Sequence, residues 1–185
     1  MNEIKINKKL EGYLVNDDNY GNCIDDMLEI ENVRSMDEII HHSGVSCLTH
    51  CLFVSYTSFS ICKRFDLDYL SAARGALLHD FYLYDWHIKE THEGLHGFKH
   101  PYIALKNAEK FFFLNHMEAD IIINHMWPLT IKLPKHKESY IVSFADKYCF
   151  LLELMRFRLN IGLKTYNRIH QIISVYTEYK TQQIS

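Results

Sequence analysis

Apolar residues recur along this chain at three- and four-residue intervals, and alternating runs long enough for strands are hard to find. The pattern predicts a short helix over 22–32, a further turn or two from Met36 to His42, and a largely buried helix from Val45 to Lys63. A fourth helix, capped by Asp66, carries Leu67, Leu70, Leu77, Leu78 and Phe81 on one broad stripe. Asp80 falls beside Ala73 and Ala76, and His79 beside Ala72, away from the centre of that stripe. Small alanines there let a neighbouring helix approach closely. Arg74 lies within the stripe, where it either snorkels at a rim or neutralises something buried.

The segment 85–100, DWHIKETHEGLHGFKH, is polar, contains two glycines and reads as a loop with one short turn. Pro101 fits the first turn of a helix reaching Leu114, and a second helix runs from Glu118 to His125. Pro128 and Pro134 bound the connection to a long helix from Lys137 to Asn160, striped by Ile141, Phe144, Tyr148, Leu152 and Met155. Gly162 breaks that helix, and Lys164 to Tyr179 starts another, packing through Ile169, Ile172, Ile173 and Tyr176. The expected fold class is all-α, an irregular single-domain helical bundle. Residues 1–42 form an N-terminal helical extension packed on a core over 43–160, and 161–185 supply a C-terminal helix completing the same domain.

Composition narrows the function. A chain of 185 residues, 48% hydrophobic and 14% aromatic, is long enough for one well-buried core. A formal net charge of -3 argues against broad attraction to nucleic acid, so no stable nucleic-acid partner is expected. The start, MNEIKINKKLEGY, lacks the apolar run of a signal peptide, and nothing approaches a membrane span. Five cysteines, an odd number, fit a reduced, cytoplasmic setting. Cys47 and Cys51 share a helical face and read as core thiols, since no second close pair completes a zinc site.

Twelve histidines stand out, and their order matters more than their number. His50 lies inside the third helix, and His79 and Asp80 lie late on the fourth. His100 immediately precedes the Pro101 helix, His125 ends the next, and Asp146 sits inside the long one. Helices packed as a bundle bring such distant positions together, and imidazole with carboxylate suits iron, manganese or zinc. His50, His79, Asp80 and Asp146 make one complete ligand set. If Asp80 spans to a neighbouring ion, His100 and His125 coordinate it. Singly, each has a plainer reading: a hydrogen-bonded core histidine at 50, a solvated helix end at 79–80, a polar-face residue at 146 beside Lys147, a turn at 100 and an aromatic cluster at 125 with Trp127.

The ordered set resembles the HD superfamily of metal-dependent phosphohydrolases over roughly residues 43–155. The resemblance rests on LTH around His50, GALLHDF around His79-Asp80 and SFADKY around Asp146. It implies an HD-type helical core in which His50, His79, Asp80 and Asp146 hold the first metal. In the two-metal branches Asp80 bridges to a second ion held by His100 and His125; KHPYIALKNAEKF and DIIINH resemble the corresponding segments. The chain departs from the cyclic-dinucleotide phosphodiesterases of those branches. Phe81, Tyr82 and Leu83 replace their isoleucine, glycine and lysine, and Met126, Trp127 and Pro128 follow His125 without their glycine-tyrosine-proline signature.

The expected activity is therefore hydrolysis of a phosphomonoester or phosphodiester by a metal-bridging hydroxide in a binuclear site. Two divalent ions are implied, iron or manganese in preference to zinc or magnesium. Asp80 orients and bridges the ions, Asp146 completes the first coordination shell and accepts a proton, and His96 serves as a proton carrier. Lys99 pairs with phosphate, ahead of Arg64, Arg74 and Lys89. The expected partner is a small phosphorylated substrate such as a nucleotide. Tyr82, Tyr84, Trp86 and Trp127 either wall a pocket or belong to the core. A di-iron oxygenase on the same scaffold fits the same six ligands, and a non-catalytic binding protein is the third alternative.

Overall fold

Tyr20, Cys23, Ile24 and Met27 recur at helical spacing and are all buried, forming the inner face of α1 (Asp18–Leu28). The structure, a computed structural model, describes residues 18–42, 44–85 and 96–159. The helix expected over 164–179, the break at Gly162 and Trp86 lie outside the described residues. The single helix expected over 22–32 is divided: α1 ends at Leu28, and a one-turn α2 (Glu31–Arg34) follows.

The helical turns expected from Met36 to His42 need correction. Ser35–Glu38 forms a 3₁₀ turn, and the chain then extends into β1 (Ile40–His42), which pairs antiparallel with β2 (Val45–Ser46). Gly44, at φ +76°, supplies the left-handed residue between them. Consecutive β-branched Ile39 and Ile40 favour the extended chain once a glycine turn lets it double back. Ile40 pairs with Ser46 and His42 with Val45, so His41 is the extra residue of a bulge.

Ser46 caps α3 (Cys47–Arg64): its hydroxyl accepts from Thr49 N–H at 3.2 Å and donates to Asp37 at 2.5 Å. Helix α3 is buried nearly all round, packing against α4 (Tyr69–Leu77) and α7 (Lys137–Leu159). The cap of α4 is Asp68, which accepts from Ser71 N–H at 2.9 Å. Asp66, expected in that role, instead takes φ +54° in the turn leaving α3.

Of the stripe expected on α4, Leu77, Leu78 and Phe81 are fully buried and Leu67 packs partly buried against the core; Leu70 alone departs. Leu70 is 48% exposed, whereas Ala72, Ala73 and Ala76 are fully buried. Helix α4 is packed between α3 and α6 (His116–Asn124), and short side chains let both neighbours approach. At Gly75 a Cβ would lie 2.9 Å from Ile121 Cγ2 of α6. Arg74 neutralises a buried group: Nε donates to Glu118 on α6 at 3.2 Å, and Nη1 donates to Asp26 on α1 at 2.7 Å.

α5 spans His96–Phe111, so Pro101 and His100 lie within a helix that begins earlier than expected. α6 opens with a reciprocal cap between Asn115 and Glu118. On α7 the expected stripe is divided: Leu152 is buried and Ile141 and Met155 pack partly buried against the core, but Phe144 is 66% exposed and Tyr148 41%, while Val142, Ala145 and Cys149 are fully buried. The described chain is thus a mostly helical bundle around one hydrophobic cluster, with one small two-stranded ribbon. No helix among the described residues is long and apolar enough to cross a membrane.

Candidate metal centre

Helix α4 stops at Leu77, and the turn that follows carries His79 and Asp80 into the bundle interior, beyond the helix rather than late within it. Asn107 on α5 pins this turn, donating from Nδ2 to the Phe81 and Tyr82 carbonyls at 3.1 and 3.2 Å. Around Asp80 the structure brings together all six residues singled out as ligands. His50 Nε2 lies 3.2 Å from Asp146 Oδ1, and His79 Nε2 lies 3.4 Å from Asp80 Oδ2 and 3.8 Å from Asp146 Oδ1. On the other side, His100 Nε2 and His125 Nε2 lie 3.1 and 3.6 Å from Asp80 Oδ1. One carboxylate therefore faces two histidine sets, one through each oxygen.

The ring orientations bear on what this cluster can hold. His79 Nδ1 donates to the Ala76 carbonyl at 2.7 Å and His125 Nδ1 to the Ile122 carbonyl at 2.8 Å. His50 Nδ1 faces the buried Glu153 carboxylate at 3.0 Å. For His79 and His125 the Nδ1 proton thus has an outward carbonyl acceptor, leaving Nε2 turned inward with its lone pair, the arrangement of metal-bound histidines held by outer hydrogen bonds. His79 Nε2 is buried and makes no hydrogen bond. His100 and His125 meet through Nε2 at 2.8 Å, close to the separation of about 3 Å between adjacent ligands on one ion with bonds of about 2.1 Å.

Electrostatics point the same way. Burial pushes the Asp80 carboxyl up, but His79 and His100, with hydrogen bonds from His100 and His41, hold it well below the usual carboxylate range. Asp146 is also lowered: burial opposes ionisation, and the hydrogen bond from His50 with the charges of His79, His50 and Lys147 outweighs it. His50 is held well above the ordinary histidine value against burial, chiefly by Glu153 and Asp146, so its Nε2 carries the proton donated to Asp146, a proton that an ion would displace. His125 is pushed well below it by burial, then by His79 and His100, which keeps its Nε2 lone pair available. The buried Asp80 and half-buried Asp146 carboxylates, ringed by imidazoles, fit divalent cations, which supply the positive charge such burial requires.

Two groups were missed in the sequence. His41, in the β1 bulge, places Nε2 2.8 Å from Asp80 Oδ2 and stacks on His50 with centroids 4.4 Å apart. The IIHH run before a serine-glycine pair was its only signal. Glu153 follows Asp146 by two helical turns, a same-face spacing that could have exposed it. Ligand atoms also cluster for Cys51 with His79 and Asp80, although burial holds the Cys51 thiol well above its ordinary pKa.

A cavity of about 380 Å³ opens over the cluster. Its floor includes Asp80, His100, His125 and Asp146, and Met126, Leu129 and Phe150 form apolar wall. The cation at its lining is Lys147, whose Nζ donates to the His125 carbonyl at 2.7 Å and to Asp146 Oδ2 at 3.2 Å. Lys99 is exposed on α5 and is not among the described lining residues. His96 is the first residue of α5, and its side chain lies outside the described residues. Of the aromatics, Tyr82 is core, at 1% exposure, and Trp127 packs edge-on against Tyr140.

No protein-family model, curated protein or solved structure matches this chain. The buried His/Asp clusters beneath a cavity support a metal-dependent catalytic function.

Proposed function

We propose that this protein is a metal-dependent phosphohydrolase of HD type that cleaves a small phosphomonoester or phosphodiester. The observation that carries the reading is the double-facing Asp80. Its Oδ2 lies on the side of His79, and its Oδ1 on the side of His100 and His125. The first ion position comprises His50, His79, Asp80 and Asp146; the second comprises Asp80, His100 and His125. Iron or manganese is the proposed occupant of both. When bound, such ions supply Lewis-acid activation of water and neutralise phosphoryl oxygens.

The chain's own groups do the rest. Asp80 keeps the two positions in register, and Asp146, between His50 and Lys147, keeps its charge at the cavity floor. Lys147, rather than Lys99, is the proposed phosphate partner, because Lys147 is a lining residue of the cavity. Met126, Leu129 and Phe150 receive the ester's organic group, which favours a compact substrate such as a single nucleotide or a smaller phosphate ester over a cyclic dinucleotide.

The test is metal analysis of anaerobically purified protein, with His100→Ala and His125→Ala alongside, followed by phosphate release and oxygen uptake on the same samples. Two equivalents in the wild type, falling toward one in both variants, with metal-dependent cleavage of p-nitrophenyl phosphate or its bis-ester, is the expected result. Oxygen consumption without ester cleavage would transfer the site to the di-iron oxygenase reading. Failure to bind metal after controlled reconstitution would remove both and leave a binding protein.

A further inference from the structure

The β1–β2 ribbon departs from an otherwise helical design, and its bulge brings one side chain to the metal cluster. Because Ile40 pairs with Ser46 and His42 with Val45, His41 is the extra residue of the bulge. Bulges of this kind re-aim a side chain next to a site. Here the neighbouring Ile40 is 50% exposed, whereas His41 is 6% exposed and turned toward Asp80. The ribbon is anchored where it matters, since the Ser46 hydroxyl donates to Asp37 and the Cys47 N–H donates to the Ile39 carbonyl at 2.8 Å.

His41 is placed as the ligands are. Its ring lies nearly parallel to that of His50, at 17° and 4.4 Å between centroids. The two stacked imidazoles approach the cluster from the same side. The ligand atoms of His41, His50 and Asp80 all lie within 4.8 Å of one another, and all three residues are buried. His41 also borders the cavity, so the same imidazole reaches both the cluster and the space a substrate would fill.

We propose that His41 is a further protein ligand at the first ion position, joining the set to which His50 and Asp80 belong. The inference rests on the metal-dependent reading above and deepens it. With His41 the first position draws on five residues, His41, His50, His79, Asp80 and Asp146. That exceeds the four ligands of a tetrahedral zinc site and suits a six-coordinate iron or manganese ion. The second position, with Asp80, His100 and His125, then keeps more room for water and substrate.

The experiment measures Mn²⁺ binding to the full chain by calorimetry, and the imidazole count at the bound ion by X-ray absorption, for wild type, His41→Ala and Ile40→Ala. The expected result is two equivalents in the wild type and, in His41→Ala, an affinity loss of tenfold or more at one of them. The average imidazole count falls with it, free imidazole restores the affinity, and Ile40→Ala matches the wild type. Unchanged affinity and imidazole count in His41→Ala, beside a wild type that binds two ions, overturns this inference alone. An equal affinity loss in Ile40→Ala, unrescued by imidazole, assigns the effect to ribbon folding and also overturns it. A wild type that binds no Mn²⁺ or Fe²⁺ overturns both this inference and the function it rests on.

Discussion

His50 Nδ1 and the Glu153 carboxylate meet 3.0 Å apart, with both side chains fully buried, across 103 residues of sequence. The contact fixes the His50 ring so that Nε2 faces Asp146. Carboxylates behind metal-bound histidines characteristically raise metal affinity 10–100-fold. Glu153→Gln is therefore expected to weaken metal binding by about tenfold or more, with the remaining ligands retained. Competition with a chelator measures this directly, and a full complement of tightly held metal in the variant would remove Glu153 from the site's support.

Lys147 and Lys99 separate the structural reading from the sequence reading. Loss of a charge-assisted hydrogen bond of about 1.5 kcal/mol corresponds to about tenfold in binding. Lys147→Ala is expected to raise KM for a phosphate ester by at least that factor in metal-saturated samples, the saturation being needed because Lys147 also contacts Asp146 and the His125 carbonyl. Lys99→Ala is expected to leave KM within about twofold, because exposed surface charges contribute little. Steady-state kinetics on both variants decides between the two lysines.

Gly75 allows α4 and α6 to touch. A methyl group there meets Ile121 at 2.9–3.0 Å through three of its carbons, so Gly75→Ala is expected to cost about 1–3 kcal/mol through overpacking. Urea denaturation measures the loss. Combined with Ile121→Ala, the cost is expected to fall short of the sum of the single changes, as contacting residues couple.

Asp120 ties α6 to the connection before α7. Its Oδ2 accepts from Ser139 Oγ at 2.7 Å and Lys135 N–H at 2.8 Å, and its Oδ1 accepts from Asn124 at 2.7 Å. Burial pushes the carboxyl up, yet these bonds hold it below its ordinary value. A lowered folded value means the stabilisation is complete above the unfolded aspartate value of about 3.9 and is lost as pH falls through that range toward the folded value. Thermal melts are expected to show Asp120→Asn less stable than wild type at about pH 6, with the gap narrowing by about pH 3.

The His/Asp cluster was more legible in the sequence than the faces of its helices. His79-Asp80 closes an apolar run and His50 interrupts another, so each is chemically conspicuous where it stands. Bulk marks burial at Leu77, Leu78, Phe81 and Leu152 but not at Leu70, Phe144 or Tyr148. Where one helix is squeezed between others, alanine, glycine and cysteine win the inner face, and Phe144 and Tyr148 are left outside. His41 was hidden for a different reason: its position depends on a bulge in a two-stranded ribbon, which a helical reading of 36–42 erased. Glu153 looked like one more polar residue on a long helix until the partner 103 residues away was known.

The distances along the chain between these partners set an order of events. His50 meets Asp146 across 96 residues and His100 meets His125 across 25. The proposed second ion position thus draws on α5 and α6 with the turn after α4, while the proposed first waits for α7. During synthesis the residues of the second set are all present while α7 is still emerging, whereas the first set is complete only after that helix has docked. Loop closure over such spans is a late and slow step, which makes full metal loading a marker of a finished fold.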